Sequence, residues 1–124
     1  MVQQQIEEEE PFERIDAAKA KELYDSRSAH WIDVRKPDEI SREGRIQGST
    51  LVPLDTLLEN PWKYLKTDNV VFVCSEGIRS ALACDLAAAM GLTRIYNLEG
   101  GIFSWAAKGF PLEKIDQVVS RQRE

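Results

Sequence analysis

The segment from Asn69 to Ser80 constrains the fold of this chain more than any other part of it. Residues 69–73 are almost entirely β-branched or aromatic and predict a buried strand. A six-residue loop from Cys74 to Arg79 follows, and an alanine-rich helix is predicted over 79–90. Ligands of open α/β sheets bind at such strand-to-helix junctions. The unpaired backbone N–H groups of a helix N-terminus favour a thiolate there, which is the nucleophilic form of cysteine.

The rest of the chain alternates predicted strands with predicted helices. Strands are expected over 12–15, 30–34, 50–52 and 94–98. Helices are expected over 17–26 and 102–107, with a helical turn over 54–58 that Asn60-Pro61 ends. The segment 35–48 is interpreted as polar and rich in turns. This alternation predicts an α/β fold with a parallel sheet covered on both faces.

The formal net charge of −5 is concentrated at the N-terminus. Residues 1–13 contain five acids and no bases, so the rest of the chain is neutral. We therefore expect a flexible acidic tail over 1–10, one domain over 11–113 and a short extension over 114–124. An interpretation of the tail as a partner-binding segment is less favoured.

Several classes of protein are disfavoured by composition. No basic stripe with interleaved aromatic residues indicates a nucleic-acid partner. No apolar run is long enough for a membrane span, and no signal-like pattern opens the chain, so we expect a cytoplasmic protein without a membrane partner. The two cysteines and the single histidine lack the spacing of a metal site, so no metal is expected.

The loop after the predicted strand has the composition of an anion-binding turn. Gly77 permits a positive φ, which lets successive backbone N–H groups point inward. Arg79 would add a positive charge, and the hydroxyls of Ser75 and Ser80 could donate to the same point. Such a loop would hold a thiolate or an anionic group carried on it, such as a persulfide. The candidate site residues are Cys74, Ser75, Glu76, Gly77, Ile78, Arg79 and Ser80.

Other chemically notable residues are assigned to the core. Cys84 lies on the alanine-rich helix, where it is expected to pack against the sheet, beyond disulfide reach of Cys74. The three tryptophans, Trp31, Trp62 and Trp105, are expected in the core as well. Cys74 could itself be only a small buried residue at a strand end, but the Cys-x4-Arg-Ser spacing before a helix argues against this.

Four sequence blocks, in this order, resemble the single-domain rhodaneses, a family of sulfurtransferases. The resemblance covers about residues 10–113. The blocks are WIDVR at 31–35 with Glu39, GRIQGS at 44–49 leading to Val52-Pro53, CSEGIRS at 74–80, and NLEGGI at 97–102 with Trp105. The loop motif alone is moderately specific for this family, and the four blocks together are strong evidence for the resemblance.

The resemblance implies a rhodanese-like fold with a five-stranded, mainly parallel sheet and helices on both faces. Cys74 would take a sulfane sulfur from a donor, thiosulfate or a persulfide, and hold it as a persulfide. It would then pass the sulfur to a thiol or cyanide, or to a protein acceptor. No metal or organic cofactor would be needed. Asp33 and Arg35 match family positions that hold the end of a strand by polar contacts.

The chain departs from the family pattern at three positions. Arg45 stands where a histidine is common, and Ser49 where an alanine is common; neither position carries the chemistry. Glu76 occupies a loop position that is often neutral or basic in active members. Because thiosulfate is a dianion, an acid there predicts weak activity with this donor. Glu76 and Arg79 are expected to leave the mouth of the loop nearly neutral.

Two other functions remain open at this stage. Cysteine-dependent phosphatases and arsenate reductases resemble the pattern, but they place five residues between cysteine and arginine and usually a histidine before the cysteine. Here four residues intervene, and Val73 precedes the cysteine. The second alternative is a persulfide carrier that serves a dedicated protein partner.

Overall fold

A computed structural model describes residues 9–114 of the chain. Its sheet has five strands: β1 (Glu13–Ile15), β2 (His30–Asp33), β3 (Thr50–Leu51), β4 (Val70–Val73) and β5 (Ile95–Leu98). The strand order is β1-β5-β4-β2-β3, and every neighbouring pair is parallel. The carboxyl ends of all five strands therefore meet along one edge of the sheet. The predicted five-stranded sheet is confirmed.

Helices cover both faces of the sheet, as predicted. They are α1 (Ala17–Ser26), α2 (Pro37–Glu43), α3 (Leu54–Glu59), α4 (Pro61–Tyr64), α5 (Ile78–Ala89) and α6 (Gly101–Ala107). All four residues of the central strand β4 are buried, so helices must cover both faces of the sheet. Val70 and Phe72 pack with residues of α3 and α5, whereas Val71 and Val73 pack with residues of α1 and α6.

Two short helices differ from the predicted structure. Helix α2 lies in the segment 35–48, for which turns were expected. The sequence does not predict a helix there, because only Ile40 among its seven residues is buried and the apolar period of an amphipathic helix is missing. It is stabilised at its start instead, where the Lys36 N–H donates to the Glu39 carboxylate at 2.9 Å and Pro37 occupies the first turn. Helix α4 begins directly after Asn60. It leaves Trp62 70% exposed, so the prediction of a core Trp62 is wrong, while Trp31 and Trp105 are buried as expected.

The termini of the domain make contacts that the sequence did not predict. At the N-terminal end, the Arg14 guanidinium donates to the Glu10 carboxylate at 2.7 Å. At the C-terminal end, Arg45 and Glu113 exchange backbone hydrogen bonds of 2.9 and 2.8 Å. Residues 1–8 of the predicted tail and residues 115–124 of the predicted extension lie outside the described residues. Within residues 9–114, no helix combines the length and apolar character needed to span a membrane.

Candidate active site

Cys74 is the first residue after the central strand β4, and its Sγ accepts two backbone hydrogen bonds. The Gly77 nitrogen lies 3.1 Å from Sγ and the Ser80 nitrogen 3.3 Å from it. The Ser80 N–H belongs to the first turn of α5, where the helix dipole is positive. Cys74 is 1% exposed, so these donors act on the sulfur away from bulk water. The arrangement stabilises negative charge on Sγ.

Gly77 allows the loop to curl in this way. Its φ is +99°, in the left-handed region that favours glycine. A Cβ at this position would lie 3.1 Å from the Gly100 nitrogen and 3.2 Å from the Leu98 carbonyl oxygen. The loop is therefore pressed against the connection between β5 and α6, and glycine satisfies both the turn and the close approach.

A buried polar network behind the sulfur uses the Ser80 hydroxyl. The Asn97 side-chain amide donates to the Gly77 carbonyl at 3.0 Å and to the Glu99 carboxylate at 2.9 Å, which fixes the direction of the amide. Its Oδ1 then accepts from the Ser80 hydroxyl. Ser80 Oγ lies 3.3 Å from Sγ and can accept from the thiol. The expectation that Ser80 donates its hydroxyl to the sulfur is wrong, because the Asn97 oxygen takes that hydrogen.

The N-terminus of α6 holds the loop from the other side. The Ile102 N–H donates to the Cys74 carbonyl at 2.9 Å, and the Phe103 N–H donates to the Ser75 carbonyl at 3.2 Å. This contact requires Gly101, because a Cβ there would lie 2.3 Å from the Cys74 carbonyl oxygen and 2.4 Å from that of Ser75. Gly101 and Asn97 support the site without being part of the predicted set.

Arg79 is paired rather than free. Its Nη1 and Nη2 donate to the two oxygens of Glu39 at 2.8 and 2.9 Å. The hydrogen bonds from Arg79 lower the pKa of Glu39 to about 2, and the same pair raises the pKa of Arg79. Arg79 lies in the first turn of α5, where we expected it to add a positive charge, but it shares that charge with Glu39. The partner of Arg79 comes from α2, the helix that the sequence did not predict.

Ser75 also faces this ion pair. Its hydroxyl oxygen lies 3.4 Å from Arg79 Nη2 and 3.5 Å from the Glu43 carboxylate, and it forms no hydrogen bond to the sulfur. The expected donation from Ser75 to the thiolate is therefore absent. Glu76 is exposed and forms no ion pair with another described residue, and Ile78 is 74% exposed.

A pocket of about 400 Å³ opens beside Cys74. Most of the predicted loop residues line it, together with two acids of α2 and an aromatic residue of α6: Glu39, Glu43, Cys74, Ser75, Glu76, Ile78, Arg79 and Phe103. Within the described residues, no histidine or carboxylate is hydrogen-bonded to the Cys74 sulfur. The pocket thus contains a cysteine sulfur that accepts from backbone donors, below a mouth of charged and apolar side chains.

A buried ion pair ties α2 to the sheet beneath this pocket. Arg35 is 0% exposed and donates to the Asp33 carboxylate at 2.8 Å, to the Glu43 carboxylate at 3.1 Å and to the Gly44 carbonyl at 2.8 Å. The structural role expected for Asp33 and Arg35 is confirmed. Their contacts also place Glu43 at the mouth of the pocket.

Cys84 lies in a different environment. It is fully buried on α5, and its thiol donates to the Tyr96 carbonyl at 3.6 Å. Burial raises the pKa of this thiol well above its usual range. The expected core role of Cys84 is confirmed.

A larger cavity of about 530 Å³ lies elsewhere, beside Tyr24, His30 and Gln47, and contains no cysteine. Among residues 9–114, no cluster of three or more histidine, cysteine or acidic side chains could hold a metal ion. Cys74 is therefore the described residue best placed for nucleophilic chemistry.

Known proteins resemble this chain over most of its length. The family model for the rhodanese-like domain matches residues 16–108. A protein from Allochromatium vinosum named sulfurtransferase is 33% identical over 90 residues, which cover 73% of this chain and 83% of the relative.

Solved structures share the fold of this chain. A rhodanese-related protein from Thermoplasma volcanium superposes with a TM-score of 0.69 at 36% identity, covering 82% of this chain and 97% of the other. A Rhodopseudomonas palustris protein of unknown function, described as a possible tyrosine phosphatase, superposes with a TM-score of 0.71 at 32% identity. That match covers 82% of this chain and 85% of the other.

Proposed function

The chain belongs to the rhodanese-like domain family, and we propose that it is a sulfurtransferase whose Cys74 carries the transferred sulfur as a persulfide. One observation carries the proposal: Cys74 Sγ accepts hydrogen bonds from the Gly77 and Ser80 N–H groups at the base of an open pocket. The relative named sulfurtransferase supports the class of reaction. We extend the proposal to the whole loop, residues 74–80, with Cys74 as the catalytic residue and residues 75–80 binding the substrate.

In the first half of the cycle, the Cys74 thiolate attacks the sulfane sulfur of a donor. A new S–S bond forms at Sγ, and the bond that held this sulfur in the donor breaks with its electron pair leaving on the donor. With thiosulfate the leaving group is sulfite. With a persulfide donor it is a thiolate. The charge before and after the step is the same, so no proton has to move.

In the second half, an acceptor attacks the outer sulfur of the Cys74 persulfide. The S–S bond to Sγ breaks, and Cys74 leaves as a thiolate. A thiolate acceptor becomes a persulfide, and cyanide becomes thiocyanate. The N–H groups of Gly77 and Ser80 stabilise the thiolate both as nucleophile and as leaving group. The cycle balances without a metal or an organic cofactor.

Phosphatase chemistry is less compatible with this pocket. A phosphate group would need the guanidinium of Arg79, but both of its Nη atoms donate to Glu39. The loop is also short, with four residues between Cys74 and Arg79. Arsenate, an oxyanion of similar shape, meets the same obstacle. A persulfide carrier would differ from the proposed enzyme only in requiring a protein acceptor.

The proposal is tested by measuring sulfur transfer from thiosulfate or cysteamine persulfide, a donor without net negative charge, to cyanide, with thiocyanate as the product. We expect turnover with cysteamine persulfide, weak turnover with thiosulfate, and none for Cys74→Ser. Hydrolysis of para-nitrophenyl phosphate without thiocyanate formation would overturn the proposal in favour of a phosphatase. Formation of the persulfide without turnover to cyanide would indicate a carrier.

A further inference from the structure

Acidic side chains dominate the mouth of the Cys74 pocket. Glu39, Glu43 and Glu76 line it against the single cationic residue Arg79 among the described lining residues. Arg79 is paired with Glu39 through two hydrogen bonds, and the lowered pKa of Glu39, about 2, keeps this carboxylate ionised near neutral pH. The mouth therefore carries a formal charge of −2, from Glu43 and Glu76. The sequence-based expectation of a nearly neutral mouth is wrong.

Two arginines lie close to Glu43 behind the mouth, and each is itself paired with an aspartate. Arg35 lies 3.1 Å from Glu43 but is itself paired with Asp33 at 2.8 Å. Exposed Arg42 lies 3.8 Å from Glu43, and Asp38 lies 3.9 Å from Arg42. Each of these two Arg–Asp pairs adds one charge of each sign, so the formal total stays at −2.

Two exposed apolar side chains, Ile78 and Phe103, line the same pocket, and a third, Leu82, follows Ile78 on α5. Ile78 is 74% exposed, Leu82 lies one turn further along α5 and is 50% exposed, and Phe103 on α6 is 48% exposed. Large exposed apolar groups close to a reactive centre are typical of a surface that a partner covers. The three side chains project from two helices, so a small thiol is too small to cover them together. A polypeptide is large enough.

We propose that this rim docks a protein acceptor whose thiol is flanked by basic and apolar side chains. The inference rests on the sulfurtransferase function proposed above and names the acceptor of that reaction. Basic groups of the acceptor would meet Glu43 and Glu76, and its apolar groups would cover Ile78 and Phe103. An anionic acceptor or donor meets the same carboxylates as a repulsive field.

The transfer step uses only groups already described. The acceptor thiol loses its proton to water, and the resulting thiolate attacks the outer sulfur of the Cys74 persulfide. The S–S bond to Sγ breaks, Cys74 leaves as a thiolate, and the acceptor carries the persulfide. Basic side chains beside the acceptor thiol favour its thiolate form as well as its approach.

The test compares two synthetic peptides that differ only in whether lysine or glutamate flanks their single cysteine and adjacent leucine. The protein is first loaded with a persulfide from polysulfide, and excess reagent is removed. The rate of sulfur transfer to each peptide is then followed by mass spectrometry. We expect the lysine peptide to react at least roughly tenfold faster at low ionic strength. The ratio should shrink in about 1 M salt, where charges are screened beyond about 3 Å.

Two charge-neutralising variants localise the effect. Glu76→Gln should lower the ratio of the two rates several-fold, because Glu76 lies at the mouth. The matched control is Glu59→Gln, which removes the same charge from the exposed C-terminal end of α3 and should leave the ratio unchanged. Ile78→Ala should slow transfer to the lysine peptide by removing an apolar contact for its leucine.

Each remaining outcome overturns the inference. If the two peptides react at equal rates with a loaded protein, the docking inference is overturned but the proposed sulfurtransferase function is not. The acceptor would then be a small thiol. An equal change in the ratio for Glu59→Gln and Glu76→Gln would show that total charge, not the rim, sets the preference. A protein on which no persulfide forms at Cys74 would overturn the proposed function, and this inference with it.

Discussion

The surroundings of the two cysteines differ in the form of the sulfur that they stabilise. Both are buried, with 1% exposure for Cys74 and 0% for Cys84. The Cys74 sulfur accepts from two backbone N–H groups at the start of α5, whereas the Cys84 thiol, further along the same helix, donates to the Tyr96 carbonyl. N–H donors stabilise a thiolate and a carbonyl stabilises a thiol. The exposed fractions are alike, and the direction of the nearest backbone dipoles therefore distinguishes the two sites.

The largest expected effect comes from removing each sulfur in turn. Cys74→Ser should lower sulfur transfer by a factor of roughly 10³ or more, because a serine hydroxyl cannot form the persulfide. Cys84→Ser should keep the rate within a few-fold, since its sulfur takes no part. Steady-state thiocyanate formation measures both. If the Cys84→Ser variant is inactive although circular dichroism shows an intact fold, the assignment of the transferred sulfur to Cys74 rather than Cys84 is contradicted.

A smaller effect is expected from disturbing the support of the Cys74 loop. Gly101→Ala would push a Cβ against the Cys74 and Ser75 carbonyls and should cost at least about 2 kcal/mol of unfolding free energy. Gly109→Ala is the matched control, because Gly109 also has a positive φ, +80°, but its added Cβ would meet no atom within 4 Å beyond its own chain neighbours. It should cost about 1 kcal/mol. Urea unfolding measures both, and equal losses would contradict the close contact.

Asn97 tests the network behind the sulfur. Asn97→Ala leaves the Gly77 carbonyl and the Ser80 hydroxyl without their buried partner, at a cost of about 1–2 kcal/mol. The loop should also hold Cys74 less firmly. The rate at which iodoacetamide alkylates Cys74 should therefore change, while Cys84 stays protected from alkylation. Asn60→Ala, at an exposed position between α3 and α4, is the control. An Asn97→Ala protein with unchanged stability and alkylation would remove Asn97 from the account.

The smallest effect concerns the ion pair at the mouth. The pKa of Glu39 falls from its ordinary 4.5 to about 2 on folding, so its pairing with Arg79 stabilises the fold above about pH 4.5. This contribution is lost as the pH falls through about 2. Because both side chains are partly exposed, we expect about 1 kcal/mol. Glu39→Gln should be less stable than the native chain at neutral pH, and the difference should narrow at about pH 3. A difference that does not vary with pH would contradict the pairing.

The fold could be predicted from the sequence where one residue pattern dominates. The continuous apolar run of β4 and the alanines of α5 identify the centre of the sheet and its main helix. Helix α2 could not be predicted from periodicity, because it buries only Ile40 and is stabilised by Glu39 at its first turn. The run Lys36-Pro37-Asp38-Glu39 carries the only local signal, with proline and acids in the first turn.

The site could be predicted only as far as local geometry decides it. The curl of residues 74–80 and the need for Gly77 follow from the loop itself. The pairing of Arg79 with Glu39 joins residues 40 positions apart, and it depends on where α2 packs. The Ser80 hydroxyl is likewise directed by Asn97 on β5. The charge of the mouth could therefore not be predicted from the loop, because it depends on side chains that distant segments contribute.

The most direct measurement asks which sulfur carries the transferred atom. The native protein is incubated with a sulfane sulfur donor, freed of excess reagent, and digested with trypsin, which separates the two cysteines by cleavage after Arg79. We expect one additional sulfur atom on the Cys74 peptide and none on the Cys84 peptide, with removal by cyanide as an equal amount of thiocyanate. Additional sulfur on Cys84, or on neither peptide, would contradict the account.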